Sequence, residues 1–288
     1  MSYWLGKTIV ITGAGSGIGK ALALELARRQ AKLIVTDIEL DAVRATAKAC
    51  GAHAEALQLD VRDAQAVSRC CEDVVKQHGR LDFIFNNAGL GIVGEAHEIP
   101  LISWDRIIDV NIRGVVHGIL AAYPIMVKQR SGHIVNTASL AGFGPVPLFS
   151  AYAMTKHAIV GLTKSLRLEA EIYNVRVSAL CPSAIETPLL DRTEISGLPP
   201  MDWLPDVRRF LTRLAGPPYS VDRFVAEALA ALERNEELIV IPGRARLARA
   251  LGQYIPSAVT LVTRKVLAEE RSQRPGVGTA KPQKDKKG

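Results

Sequence analysis

VITGAGSGIGKALA, residues 10–23, decides how this 288-residue chain folds. Its first three residues close an apolar run over 7–12, the mark of a buried strand. Gly13, Gly15, Gly17 and Gly19 then alternate through a turn, and 18–29 reads as a helix. Residues without a Cβ permit a tight turn and let backbone amides approach an anion closely. The free N–H groups and dipole of the following helix point at the same anion. Lys20-Ala21 follows Gly19, so the GK[ST] ending of a P-loop is missing. The turn therefore reads as a receptor for a dinucleotide pyrophosphate, with Gly13, Ser16, Gly17, Ile18 and Gly19 as its candidate contacts.

The same alternation continues outward. Strands are predicted over 33–36, 54–59, 81–85, 133–137, 175–180 and 238–241. Helices are predicted over 40–50, 64–78, 104–129, 152–173 and 221–233. Strands joined by helical crossovers require a mostly parallel α/β sheet covered on both faces. Right-handed crossovers and the glycine turn make it doubly wound. Asp37 ends the second strand, 20 residues past Gly17. A carboxylate there accepts hydrogen bonds from both adenosine ribose hydroxyls and repels the 2′-phosphate of NADP. Ile38 follows it rather than arginine, so NAD(H) is the expected cofactor.

Composition excludes several classes. Hydrophobic residues make up 48% and charged residues 23%, which argues against global disorder. Cys50, Cys70, Cys71 and Cys181 lack metal-ligand spacing and read as reduced structural thiols. The six histidines are dispersed, without H-E-x-x-H, so no metal site is expected. No secretory segment precedes the first strand, and no run reaches membrane-span length; Arg113 and His117 interrupt the most apolar long helix. A cytoplasmic chain is expected. The net charge of +7 resides at one end: from Gly243 onward lie 11 of the 36 Lys and Arg but 3 of the 29 Asp and Glu, a net of +8 against −1 elsewhere. A nucleic-acid face across the domain is therefore not expected.

SAYAMTKHAIVGLTKSL, residues 150–166, places Tyr152 and Lys156 one helical turn apart, on one face. With TGAGSGIG at 12–19, Asp60-Val61, NNAG at 86–89, Asn111, Ser139, Pro182 and Thr187, the chain resembles the short-chain dehydrogenase/reductase (SDR) family over roughly residues 5–242. The resemblance implies a Rossmann-like sheet of seven strands in the order 3-2-1-4-5-6-7, NAD(P)-dependent chemistry on an alcohol or carbonyl, and a homodimer or homotetramer. It implies that Tyr152 is the general acid and base, that Lys156 favours the phenolate and holds the nicotinamide ribose, and that Ser139 orients the substrate oxygen. Asn111 then holds a water of the proton relay. Asn87, Ala88 and Gly89 line the cofactor, Asp60 and Val61 sit near adenine, and Thr187 meets the nicotinamide end. One departure is Pro182-Ser183, where the family carries Pro-Gly; serine fits if that turn has negative φ. Ser139 lacks the G-x-S-x-G setting of a hydrolase. The alternative in a different class is a catalytically inactive, nucleotide-regulated binding or scaffold protein that keeps the fold.

Residues 1–242 thus read as one catalytic domain with a substrate lid over 187–216. The lid carries Leu189, Leu190, Ile195, Leu198, Met201, Trp203, Leu204, Phe210 and Leu211, broken by Pro199, Pro200 and Pro205. Phe143, Val146, Leu148 and Phe149 are the expected opposite wall, and an apolar alcohol or ketone the expected substrate. Residues 243–270 read as a helical extension divided at Pro256, and 271–288 as a basic, disordered tail. Two readings stay open for the extension: packing on the domain or a partner subunit, or a weak, charge-dependent peripheral membrane contact.

Overall fold

Each apolar run becomes a strand of one parallel sheet. In this computed structural model, which describes residues 2–191 and 197–275, the strands are β1 (Thr8–Thr12), β2 (Lys32–Asp37), β3 (Ala54–Gln58), β4 (Phe83–Asn86), β5 (Gly132–Thr137), β6 (Val175–Pro182) and β7 (Leu238–Ile241). They pair in the order β3-β2-β1-β4-β5-β6-β7. Every neighbour is parallel.

Successive strand residues alternate between two cores, as a pleated strand requires. Ile9, Ile11, Leu33, Val35, Phe83 and Phe85 pack with α1 (Gly17–Arg28), α2 (Leu40–Cys50) and α8 (Val221–Glu233) on one face. Val10, Ile34, Ile84 and Ile134 pack with α3 (Ala64–His78), α5 (Gly114–Gln129) and α6 (Ser150–Ala170) on the other. Burial on both faces explains why the inner strands read as unbroken apolar runs.

Two differences from the sequence reading stand out. The helix expected over 104–129 begins three residues earlier, as α4 (Leu101–Ile108), and runs through a π-helical turn (Asp109–Arg113) into α5. The continuous element Leu101–Gln129 is long and apolar enough to cross a membrane by length and composition, which corrects the expectation that no segment is; its apolar second half outweighs the interruption by Arg113 and His117. Its inner face packs against β4, β5 and α3. The second difference is α7 (Val207–Ala215), a helix inside the expected lid. Asp206 caps it by accepting from the Arg209 N–H at 2.8 Å.

The extension forms α9 (Gly243–Tyr254) and α10 (Pro256–Arg271), which meet at Pro256. α10 packs on α7. Of the tail expected to be disordered over 271–288, Arg271 ends α10 and Arg271 and Arg274 form ion pairs, while 276–288 lie outside the described residues, as does Ile195 of the lid, within 192–196.

Candidate active site

The strand order reverses between β1 and β4, and the loops leaving those two strands meet there. This is where open α/β sheets bind ligands. Thr12 is the rivet. Its hydroxyl donates to the Phe85 carbonyl at 3.2 Å and accepts the N–H groups of Asn87 and Ala88, each at 3.0 Å. Asn87 returns the contact, its Nδ2 donating to the Thr12 and Gly13 carbonyls at 3.0 and 3.2 Å. The NNAG loop is thereby laid against the glycine turn. Gly13 has φ +66°, and a Cβ on it would come within 2.7 Å of the Ala88 Cα. A Cβ on Gly19 would overlap the Gly13 carbonyl oxygen. Both contacts leave room for hydrogen only.

Asp37 lies across the same turn. Its Oδ2 accepts the Gly15 N–H at 2.8 Å and its Oδ1 the Glu39 N–H at 3.1 Å. An ionised carboxylate has about four acceptor positions, so each oxygen can still receive a hydroxyl. Thr187 reaches the turn from the far side, 3.6 Å from where a Gly17 Cβ would stand. The glycine turn thus stands between Asp37 and Thr187, groups that suit a dinucleotide: amides and a helix start for phosphate, a carboxylate for ribose hydroxyls.

Asp60 pairs within its own loop. Both its oxygens bind the Arg62 guanidinium at 2.5–3.0 Å, and this contact holds the carboxyl below the usual carboxylate range. The Val61 carbonyl is engaged by His117 Nδ1 at 2.8 Å. A small polar cavity nearby, lined by Arg62, Ala64, Asp109, Arg113 and His117, is not the catalytic cleft. Its arginines pair with Asp60 and Asp109.

The four candidate catalytic residues come from three segments, the π-helical turn, the end of β5 and α6, and converge. Ser139 follows β5, is buried, accepts the Ala141 N–H at 3.1 Å and donates to the Pro182 carbonyl at 3.3 Å. It also lowers the Tyr152 phenol, against the dominant effect: burial, which raises the phenol above its ordinary value. Lys156, one turn along α6, is buried and donates from Nζ to the Thr137 carbonyl at 2.8 Å. Its Nζ stands 5.3 Å from the centre of the Tyr152 ring. Burial pushes its ammonium down to about 8. The Tyr152 phenol is set mainly by its burial.

Asn111 sits on the π-helical turn and is fully buried. Its Oδ1 accepts the Leu90 N–H at 2.9 Å, while its Nδ2 donates to the Leu90 carbonyl at 2.9 Å and to Thr155 Oγ1 at 3.1 Å. The side chain therefore ties the loop after β4 to α6. A Cβ on Gly89 would lie 3.3 Å from Asn111 Oδ1 and 3.7 Å from Lys156 Nζ, so these three residues share one small space. Single-turn π-bulges often occupy functional sites. Thr12, Thr137 and Thr155 are partners that sequence reasoning missed. The one available signal was a hydroxyl residue at each strand end or beside Lys156.

The roof is apolar. Val93, Leu148, Phe149, Leu190, Trp203, Val207, Phe210 and Val266 form one cluster, and Ile92, Ile99, Ile107 and Ala151 a second. Tyr152 packs against both. Leu148 takes a left-handed conformation, φ 66°, at a cost of roughly 1–2 kcal/mol. Its carbonyl accepts the Gly94 N–H at 2.8 Å. Phe143 departs from the expected wall: it packs toward the α5–α6 core, beneath the Arg249 guanidinium. Ser183 takes no positive φ, which meets the condition for serine in that turn.

Ion pairs fasten the roof. Glu270 of α10, almost wholly buried, accepts from Arg209 at 2.6 and 3.0 Å and from the Asp206 N–H at 2.9 Å. Arg271 grips Glu95 at 2.6 and 2.7 Å, Arg274 bonds Glu98 at 2.7 Å, and the Arg274 guanidinium lies 5.4 Å from the Trp203 ring centre. Among the described residues, no group of three His, Cys, Asp or Glu is placed to hold a metal ion. The four cysteines are free and buried.

A family model described as short chain dehydrogenase matches residues 7–195. The chain is 41% identical over 192 residues to the oxidoreductase SadH of Mycobacterium tuberculosis, covering 65% of this chain and 70% of that protein. It is 37% identical over 192 residues to a cyclohexanol dehydrogenase of Acinetobacter sp., covering 65% and 76%. A solved short chain dehydrogenase/reductase from Burkholderia phymatum, in complex with NAD, superposes with a TM-score of 0.77 at 29% identity, covering 96% of this chain and 99% of that one. The chain belongs to the short chain dehydrogenase family. It is an NAD(H)-dependent oxidoreductase acting on CH–OH and C=O groups.

Proposed function

We propose that this enzyme interconverts an apolar secondary alcohol and its ketone, with Tyr152 moving the proton. The observation that carries this reading is the position of Tyr152. Its phenol meets Ser139 and Lys156 below, and its ring packs against both apolar clusters of the roof.

The glycine turn, Asp37 and Thr187 would hold NAD(H), which would supply or accept the hydride. The chain's own residues do the rest. Ser139 and the Tyr152 phenol hold the substrate oxygen. Tyr152, kept protonated by burial, gives its proton to that oxygen during reduction. Lys156 stabilises the phenolate that remains. Asn111 keeps the loop after β4 against α6, so that Lys156 and Gly89 stay in register. Asp37 selects the unphosphorylated adenosine ribose. Asp60, Val61, Asn87, Ala88 and Thr187 complete the cofactor wall, Asn87 by bracing the glycine turn. The aromatic and aliphatic roof excludes water and favours carbon-rich substrates. The relative that bears the name cyclohexanol dehydrogenase supports alicyclic alcohols as a first substrate class.

We assign a homodimer or homotetramer built on α5 and α6. Leu120, Met154 and Leu168 stand exposed on those helices, with Ile172 in the turn after α6. Exposed aliphatics of this kind suit a two-fold contact.

The test is an NAD(H)-linked assay over cyclic, linear and aromatic secondary alcohols and their ketones, with charged analogues as controls. Turnover confined to apolar members supports the proposal. No turnover by folded, NAD-binding protein, or equal use of charged analogues, would reject it.

A further inference from the structure

The C-terminal hairpin has two unlike faces. α10 turns Thr263, Val266 and Glu270 inward, Val266 entering the roof cluster. α9, by contrast, buries only Ala245. The large side chains that remain face solvent: Leu247, Leu251, Tyr254, Ile255, Leu261 and Val262, with Tyr254 77% and Leu261 69% exposed. Leu247, Leu251 and Tyr254 fall on one stripe of α9, and Leu261, Val262 and Lys265 on one stripe of α10. The two helices pack on one another and meet at the exposed turn Ile255-Pro256. Clustered exposed apolar side chains mark an interaction surface.

Charge says what covers it. Over 243–268 the chain carries Arg244, Arg246, Arg249, Arg264 and Lys265 and no Asp or Glu. Among the described residues, the ion pairs of the extension, formed by Glu269, Glu270, Arg271 and Arg274, all lie beyond that stretch and on the lid side. Arg244 and Arg246 reach backbone carbonyls of Ala215, Pro217 and Val240, and Arg249 covers Phe143; none of these contacts neutralises a charge. A second copy bound through a two-fold axis would set this cationic patch against itself. An anionic bilayer answers both features. Aliphatic side chains enter the acyl boundary, a tyrosine sits at headgroup level, and arginine and lysine meet phosphate. In sequence, Lys281, Lys284, Lys286 and Lys287 against Asp285 add to the same charge.

We propose that the outer face of the α9–α10 hairpin docks on an anionic lipid bilayer. Neither helix spans it, since α9 has 12 residues and α10 has 16. The inner face of α10 belongs to the roof, so docking holds the substrate cleft at the membrane surface.

The test is co-sedimentation of the full chain with vesicles of phosphatidylglycerol and phosphatidylcholine, or of phosphatidylcholine alone, at low salt. Binding to the anionic vesicles should exceed the neutral control by at least about tenfold. Leu251→Asp with Leu261→Asp should lose that binding by about tenfold or more, while NAD affinity and turnover of a water-soluble ketone stay unchanged. Arg264→Gln with Lys265→Gln, a milder surface change, should weaken anionic binding several-fold and flatten its salt dependence. Tyr254→Trp should show blue-shifted emission on anionic vesicles, quenched by lipids brominated near the headgroup. Equal sedimentation with both vesicles, unaltered binding by either double variant, or loss of oligomers in place of lipid binding would overturn the proposal.

Discussion

The floor and the roof of the catalytic cleft are held by different kinds of contact. On the floor, backbone atoms meet at distances that leave no room for a methyl group, and Thr12, Asn87 and Asn111 bond directly to main chain. On the roof, apolar side chains fill the space, and ion pairs between α10 and the segments beneath it hold it down. Close backbone packing has no soft response to substitution, whereas a side-chain cluster can repack. On the proposed function, the floor fixes the reaction and the roof chooses the substrate.

The sharpest way to break this division is Tyr152→Phe. The aromatic volume stays and the transferable proton goes, so turnover should fall by about 10²–10⁴-fold while NAD affinity and fold persist. Lys156→Ala should lose activity and NAD affinity together. Steady-state rates and NAD titration decide it; a wild-type rate in Tyr152→Phe would remove the acid/base role. Next in size is Gly13→Ala. The new Cβ meets Ala88 and takes a φ of +66°, so the NNAG loop must shift and NAD affinity should fall by about tenfold or more. Unchanged affinity by calorimetry would mean that the floor is softer than its contacts suggest.

Two further tests sharpen the floor's chemistry. Lys156 keeps its positive charge below about 8 and loses it above, because burial has lowered it. Tyr152 has moved the other way and keeps its proton past its ordinary value. For ketone reduction the lysine therefore titrates first, and kcat/KM should decline as pH rises through about 8, by roughly tenfold per unit at the limit. A flat profile from pH 7 to 9.5 would contradict that order. Asp37→Ala with Ile38→Arg should then narrow or reverse the NAD(H) preference, shifting the ratio of kcat/KM values for NAD and NADP by about tenfold or more. Equal efficiencies with both cofactors in the wild type would sink the argument from Asp37.

The floor was also the more legible half. The glycine turn, Asp37, NNAG, Ser139, Tyr152 and Lys156 each stand at the end of a strand or on one helix face, where period and spacing locate them. What stayed hidden was who holds them. Thr12 bonds Asn87 across 75 residues and Asn111 bonds Thr155 across 44, and no local pattern encodes such a pairing. The pairing of Asp60 with Arg62 was not read either, although the two are only two residues apart. α7 was missed because Pro199, Pro200 and Pro205 argued for irregular chain; Asp206, three residues before Arg209, was the cap signal available. Roof ion pairs depend on how the extension folds back, which periodicity does not report.

The smallest expected effect tests the roof. Glu270 is almost wholly buried and serves two partners, the Arg209 guanidinium and the N–H of Asp206 at the start of α7. Glu270→Gln keeps the size and one carbonyl acceptor for Asp206 but removes the charge facing Arg209. Arg209→Met leaves the carboxylate buried with the Asp206 N–H as its remaining bond. Removing one member of a buried pair is costly; Arg209 is more than a third exposed, so the loss here should be about 1–2 kcal/mol rather than the full buried-pair value. Arg209→Met should therefore lower Tm by a few degrees and Glu270→Gln by less. Because α7 carries Val207 and Phe210 into the apolar cluster, both variants should raise KM for a bulky apolar ketone by several-fold and leave kcat nearly unchanged. A matched fall in kcat with constant KM would instead place this clasp in the transition state and dissolve the distinction between floor and roof.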